Sequence, residues 1–311
     1  MPKYIFGETM LELPDDPVEK ATLSEELDIE EYHDLGNFQK HGDNAILSKS
    51  QLAKLDCPAK FKYEYIDGGA AEEKDHLNVG NAVHTLALEP DLFHDRFYIL
   101  PEGLRRDKRM KAYQDEIEAA GDRKMITFND FADIEGMAKS LSGNKKALTL
   151  LEGAGMIEPS IFWNDDETGV RLRCRPDFLR DDGLVVDLKT GNSAEPMKFS
   201  CTAFDFHYDI SVAMTCEGVK KLTGKKPDNY VFLMVESKPP YVIEAYDSFR
   251  PWDPDDITKF TYFDAGWFRF RRMLDRFVEC KKSGHWPGYQ KIITPMSVPG
   301  YAMRNLEKGD N

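Results

Sequence analysis

Basic residues are scarce relative to acidic ones. The 311-residue chain carries 41 Lys and Arg against 55 Asp and Glu, a formal net charge of −14. Such a chain does not coat itself with nucleic acid through bulk attraction, and binding to nucleic acid, which composition alone neither supports nor excludes, must rest on local positive charge. Cysteine is also sparse. Cys57, Cys174, Cys201, Cys216 and Cys280 are odd in number, widely spaced and without a CxxC pair. This argues against a disulfide framework or a zinc ribbon and for a reducing, cytoplasmic setting. No apolar run approaches the roughly 20 residues that span a bilayer, so no membrane partner is expected. The first residues, MPKYIFGETMLELPDD, lack the basic and apolar regions of a secretory signal. Internal repeats and low-complexity tracts are missing as well.

What remains is an ordinary globular composition, 31% charged and 12% aromatic, long enough for one large domain or two modest ones. The acid is uneven. Residues 1–40 hold eleven acidic groups against Lys3, Lys20 and Lys40. Residues 1–42 therefore read as an acidic, weakly patterned arm, residues 43–295 as the folded domain and residues 296–311 as a tail.

Ser48 followed by Gln51 is a capping box opening a helix, which Pro58 can break in two. Residues 75–89 read as a second helix, with Gly80 and His84 on one face. Residues 97–112 read as a basic loop carrying Arg105, Arg106, Lys108, Arg109 and Lys111. A helix follows over 129–152. The pattern then turns to strands: Glu158 to Trp163, Val170 to Leu179, and Leu184 to Lys189, separated by the turns DDETG and DDG. This predicts a three-stranded meander. A helix over 203–223, an apolar strand over 230–235, a strand over 241–247 and an amphipathic helix over 256–282 complete an α/β domain with a mixed central sheet flanked by helices.

The chemistry concentrates in Arg175-Pro176-Asp177, ten residues before Asp187-Leu188-Lys189. On adjacent antiparallel strands the two aspartates reach one spot, where they repel unless a cation lies between them. Hard oxygen donors of this kind suit Mg²⁺, with Mn²⁺ as a substitute. The Leu188 carbonyl is a further candidate ligand. Lys189 shares the face of Asp187. It can assist an attacking water or offset charge on a phosphate.

This D-x₉-D-x-K spacing resembles the PD-(D/E)xK nuclease superfamily. His84 within GNAVHTLALEP and Glu158 at the start of the preceding strand lie in the order such sites use. More narrowly, the chain resembles the RecE group of phage-type exonucleases (exonuclease VIII), relatives of λ exonuclease and of the RecB nuclease domain. The resemblance rests on YHDLG, SKSQL, VGNAVHTLALEPDLF, EPSIFWNDDETGVRLRCRPDFL, VVDLKT, FDFHYDISVAMTCEG, YVFLMVES and HWPGY, spread over residues 32–290.

It implies a restriction-endonuclease-like fold and Mg²⁺-dependent 5′→3′ digestion of double-stranded DNA from an end, with two ions per site. The 3′ tail left behind would serve a RecT-like single-strand annealing protein. Ring-shaped homo-oligomers occur in the family. By position, His84, Asp177 and Asp187 would be metal ligands, Lys189 the catalytic lysine and Glu158 an accessory acid. Arg105, Arg106, Arg109, Arg173, Arg175 and Tyr208 are candidate DNA contacts, although plainer structural roles fit each of them. One departure stands out. Relatives carry Tyr-x-x-Gln-x-x-x-Tyr after the D-x-K strand, whereas here Tyr208 is followed by Ser211 and Thr215. Two alternatives therefore stay open: a catalytically impaired DNA-binding or recombination-partner module, and an endonuclease or single-strand nuclease using the same metal site. An iron–sulfur variant would need a C-terminal cysteine cluster, and Cys280 stands alone.

Overall fold

A computed structural model describes residues 21–24, 27–69, 77–251, 255, 259–289, 293, 296–298 and 303. Strand β1 (Thr22–Ser24) is followed by helices α1 (Ile29–Asp34), α2 (Phe38–His41), α3 (Lys49–Ala53) and α4 (Pro58–Phe61). Next come α5 (Leu77–Leu88), α6 (Phe93–Arg96), β2 (Phe97–Ile99), α7 (Lys111–Ala120), β3 (Lys124–Ile126), α8 (Phe128–Gly143) and α9 (Lys145–Leu151). The middle holds β4 (Gly155–Ile157), β5 (Ser160–Asn164), β6 (Arg171–Cys174), β7 (Phe178–Arg180) and β8 (Leu184–Gly191). Helices α10 (Pro196–Asp205) and α11 (Tyr208–Thr223), strands β9 (Asn229–Glu236) and β10 (Ile243–Asp247) and helix α12 (Tyr262–Ser283) follow.

The central sheet is mixed, in the order β10-β9-β8-β7-β4, with β8 and β9 parallel and the other pairs antiparallel. Alternation along the strands divides the core. Val185, Tyr230, Phe232 and Met234 join α10, α11 and α12 on one face. Val186, Leu188, Leu233 and Val235 join α5, α8 and α9 on the other. β9 is buried on both sides, as its unbroken apolar run YVFLMV predicts. The expected α/β class with a mixed sheet between helices is borne out.

The predicted meander is corrected. Residues 170–179 are not one strand: β6 pairs with β5, whereas β7 pairs with β8 and β4. Pro176 lies at the break, where its missing N–H ends the ladder and the chain passes from one sheet to the other. β5 and β6, with β1 at the edge, form a separate three-stranded sheet. Glu158 does not start β5. It sits between β4 and β5 with φ of 48°. Asn144 caps α9 and divides the helix predicted over 129–152, while His207 divides that over 203–223. The start predicted at Ser48 holds, with the full capping box, and Pro58 begins α4. In the basic loop, Phe97–Ile99 is a strand paired with β3.

The described part of the acidic arm is folded onto the body. β1 pairs with β5, and Tyr32 and Leu35 are buried with Ile46 and Phe162. Among the described residues no helix is long and apolar enough to cross a membrane. All five cysteines are free thiols.

Helices α11 and α12 touch backbone to backbone at Gly266, where a β-carbon would fall 1.9 Å from the Asp209 carbonyl oxygen. Gly266→Ala must therefore separate the two helices, which pack on the same face of the central sheet. Overpacking of this kind outweighs the gain in helix propensity and leaves a net loss of about 2 kcal/mol. The measurement is a lowered midpoint in thermal or urea unfolding.

Candidate active site

Register places the two aspartates together. β7 and β8 pair at Phe178↔Val186 and Leu179↔Val185. One further step sets Asp177 opposite Asp187, and the next would set Pro176 opposite Leu188. Proline cannot take part as a donor, and the Asp177 side chain takes over at the ladder's end. Its Oδ2 accepts from the Leu188 N–H at 2.7 Å. The chain's sheet change thus fixes the Asp177 carboxylate over β8.

Asp187 is buried and receives two donors. Lys189, two residues on and on the same face, donates from Nζ to Asp187 Oδ1. Tyr230 Oη, from the neighbouring strand β9, donates to Asp187 Oδ2 at 2.5 Å. Lys189 Nζ is also 4.0 Å from Asp177 Oδ2 and 3.5 Å from the Leu188 carbonyl oxygen. His84, carried by α5, brings Nδ1 to 3.6 Å from Asp177 Oδ1. Gly80 is not forced here, since a β-carbon would meet only Thr190 Oγ1 at 3.6 Å.

The electrostatics follow from burial and crowding. Burial and the adjacent Asp187 carboxylate push Asp177 well above the usual carboxylate range. Burial acts on Asp187 in the same direction, but the Lys189 ammonium and the Tyr230 hydroxyl hold it below its ordinary value. Lys189 is raised, because both carboxylates outweigh its own desolvation. Burial, reinforced by the Lys189 charge, pushes His84 down to about 4, so its imidazole is neutral near pH 7.

Among the described residues, no three His, Cys, Asp or Glu side chains already form a cation cage. Instead the Lys189 ammonium lies against Asp187. The donor set nonetheless suits a hard divalent cation. It offers two carboxylates in mutual repulsion, a carbonyl facing the same ammonium and a neutral imidazole. His84, Asp177, Asp187 and the Leu188 carbonyl are the groups available to hold one.

Glu158 stands at the same corner. Its N–H donates to the Asp177 carbonyl oxygen at 2.9 Å, and burial together with Glu89 raises its carboxyl. Its left-handed backbone is a strained conformation for a non-glycine residue beside a candidate centre.

The proposed DNA contacts separate. Arg105, Arg106 and Arg109 are exposed and line neither cleft beside the centre, and Arg109 is paired with Asp107 at 2.8 Å. Arg173 and Arg175 do line the cleft, yet they serve as straps. Arg173 is buried, donates to the Ile46 carbonyl and lies 4.7 Å from the Tyr32 ring centre. Arg175 donates to Ser160 Oγ at 2.8 Å and to the Leu27 carbonyl at 2.7 Å. Tyr208 is at the centre itself, its ring 5.1 Å from Lys189 Nζ.

Two residues were not singled out from sequence. Lys49 donates to the Phe206 carbonyl at 2.9 Å and lies 5.3 Å from the Tyr208 ring, with its ammonium pushed down to about 8 by burial and by Lys189. Tyr230 was visible only as the first aromatic of an apolar strand. Nothing in YVFLMV indicates that its hydroxyl reaches a carboxylate.

The centre lies where two clefts meet. One, of about 610 Å³, is lined by Lys49, Arg175, Asp177, Asp187, Ser211 and Thr215 among others. The second, of about 870 Å³, is lined by Asn192, Lys198 and Phe206. Lys189 lines both.

The sequence profile of the family described as "PDDEXK-like domain of unknown function (DUF3799)" matches residues 48–293, and the chain belongs to that family. The fold is accordingly restriction-endonuclease-like, and the superfamily expected from the D-x₉-D-x-K spacing is borne out. No curated protein matches the sequence. Among solved structures, a protein of Eubacterium rectale named "Putative exonuclease" aligns with a TM-score of 0.57 at 12% identity, over 91% of this chain and 99% of that one. At that identity the likeness speaks for the fold alone. An alkaline exonuclease (LHK-Exo) from Laribacter hongkongensis aligns at 11% identity over 57% of this chain and 87% of that one. Its TM-score of 0.25 is too low to bear on the argument.

Proposed function

We propose that this chain is a divalent-cation-dependent nuclease of the RecE type, digesting linear double-stranded DNA 5′→3′ from its ends. One observation carries the reading: Asp177, Asp187 and Lys189 converge in an open cleft with His84 against Asp177, whose carboxyl burial and Asp187 hold well above the usual range. His84, Asp177, Asp187 and the Leu188 carbonyl would hold Mg²⁺ or Mn²⁺, in a site taking two ions. The bound cation supplies Lewis acidity and offsets the charge that develops on the phosphate.

The protein's own groups do the rest. Tyr230 and Leu188 fix the carboxylates by donating to their Oδ2 atoms. With a cation held by the carboxylates, the Lys189 ammonium, which here lies against Asp187, would be available to orient the attacking water and to face the phosphate. Ser211 and Thr215 line the cleft in place of the relatives' Gln and Tyr. They alter the cleft wall without removing any of the four convergent groups, so an active enzyme is favoured over an impaired DNA-binding module. A ring-shaped homo-oligomer, a RecT-like annealing partner, a cytoplasmic location and an accessory role for Glu158 belong to the same proposal.

Linear duplex labelled separately at its 5′ and 3′ ends is the direct test. With Mg²⁺ the 5′ label is released first, EDTA stops release completely, and closed circular DNA survives. Nicking of the circle would instead establish an endonuclease. Retardation of linear duplex without release of label would leave only a binding module.

A further inference from the structure

The second cleft presents an apolar ring that the hydrolytic centre does not need. Phe206 is 59% exposed and lines this cleft together with Lys189 and Tyr208. Single exposed aromatics are commonplace and need no explanation. This one is held in place at evident cost. It sits in the two-residue turn between α10 and α11, next to His207, which adopts a left-handed backbone with φ of 57°. Three side chains from distant parts of the chain brace the turn. Lys49 donates to the Phe206 carbonyl at 2.9 Å. Arg269 donates to the Phe204 carbonyl at 3.2 Å and to the buried Asp209 carboxylate at 3.0 Å. Asp56 lies 3.3 Å from His207 Nε2.

The ring's orientation is equally defined. Phe206 and Tyr208 are stacked, centroids 6.0 Å apart and planes 26° from parallel. Tyr208 in turn faces the Lys189 ammonium at 5.1 Å. The Tyr208 ring thus has the Lys189 ammonium and the Phe206 ring as neighbours. Asn192, Ser193 and Thr190 add neutral polar groups along the same cleft. Of the cleft's other lysines, Lys238 is paired with Asp133 and Lys198 is exposed.

We propose that Phe206 is a stacking platform for an unpaired base of the strand being cut, close to the phosphate held at Lys189. The inference rests on the nuclease reading and deepens it. A paired base inside a duplex has both faces covered by its neighbours, so a protein ring can take a face only once the strand has separated. Stacking of this kind is indifferent to sequence, because every base has a π-face. The cut strand accordingly crosses the second cleft as a single strand, and Phe206 sets how well a frayed or single-stranded end is retained. Phe206 is a positioning residue; it touches no reacting atom.

The test compares wild type, Phe206→Leu and Phe206→Trp in the full chain, with matching melting temperatures as the control for folding. With Mg²⁺ and single-stranded oligonucleotides, Phe206→Leu raises KM roughly tenfold, within the range of losses seen when stacking rings are removed, while kcat stays within about twofold. Phe206→Trp restores KM. In an Asp177→Asn background, which prevents cutting, an oligonucleotide with 2-aminopurine near its end is quenched on binding when Phe or Trp is present and not when Leu is. Equal KM and equal quenching for Leu and Phe overturn the stacking role and assign the exposed ring to some other contact. A wild-type chain that hydrolyses no DNA with Mg²⁺ overturns the nuclease reading and this inference together, and the two failures are thereby distinguishable.

Discussion

Asp177→Asn is expected to lower nuclease activity at least about a thousandfold, a loss of several kcal/mol of transition-state stabilisation if the proposed cation is held there, while making the metal-free protein more stable. The two effects have one origin. Asparagine can still accept from the Leu188 N–H, so the geometry at the end of β7 is kept. The negative charge facing Asp187 is removed. In the wild type, the Asp177 carboxyl titrates well above its ordinary value because of burial and Asp187. A raised carboxyl costs folding stability from about pH 4 upward, where the unfolded chain ionises and the folded one resists, and the cost is absent below that. The variant should therefore melt higher than wild type in EDTA at pH 8 and alike near pH 4. Adding Mg²⁺ should raise the wild-type melting temperature and leave the variant's nearly unchanged, because binding to the folded state alone stabilises it. A variant that melts lower than wild type in EDTA at pH 8 would show that the carboxylates are not in conflict.

The parts of this centre that could be read from sequence are those fixed by local spacing. Asp177 and Asp187 flank a tight turn, so their convergence follows from antiparallel register over a few residues. Lys189 shares the face of Asp187 because strands alternate. Ser48 with Gln51 announces a helix start, and the uninterrupted YVFLMV run announces a strand covered on both faces. In each case a nearest-neighbour rule decides the structure.

What stayed hidden depends on distant parts of the chain. Pro176 was legible as a break in hydrogen bonding. That β6 would leave for a second sheet with β5 and β1 is decided by packing against α11 and by the folded N-terminal helices. Arg173 and Arg175 have the alternation of DNA-facing residues, but their guanidinium groups are taken up by carbonyls of residues 27 and 46 and by the Tyr32 ring. Tyr230 and Lys49 reach the centre from elements more than 40 residues from Asp187. The residue types alone offer no signal for either. The acidic count of the first 40 residues likewise obscured Tyr32 and Leu35, whose burial makes part of that stretch a wall of the cleft.

Lys189→Met supplies the opposite signature, and the contrast separates a ligand from a charge-balancing lysine. The substitution keeps the unbranched apolar stem and removes the ammonium that lies between two carboxylates. Asp187 then loses its cation, and both acids face each other uncompensated. Removing one member of a buried pair costs about 3–5 kcal/mol, and the lower end applies because a carboxyl can take up a proton instead. The metal-free variant should therefore melt below wild type in EDTA at pH 8, with the gap narrowing as the pH falls and the acids protonate. Mg²⁺ should raise its melting temperature by more than it raises that of wild type, since the cation is the remaining partner for the two charges. Activity with Mg²⁺ should nevertheless fall by about 10²- to 10⁴-fold in kcat, the usual loss on removing a positioned group that handles a proton, with little change in KM. If Lys189 only balanced charge, a bound cation would do the same, and kcat would survive. A variant that binds Mg²⁺ tightly, binds DNA normally and still fails to hydrolyse it places the lysine in the reaction.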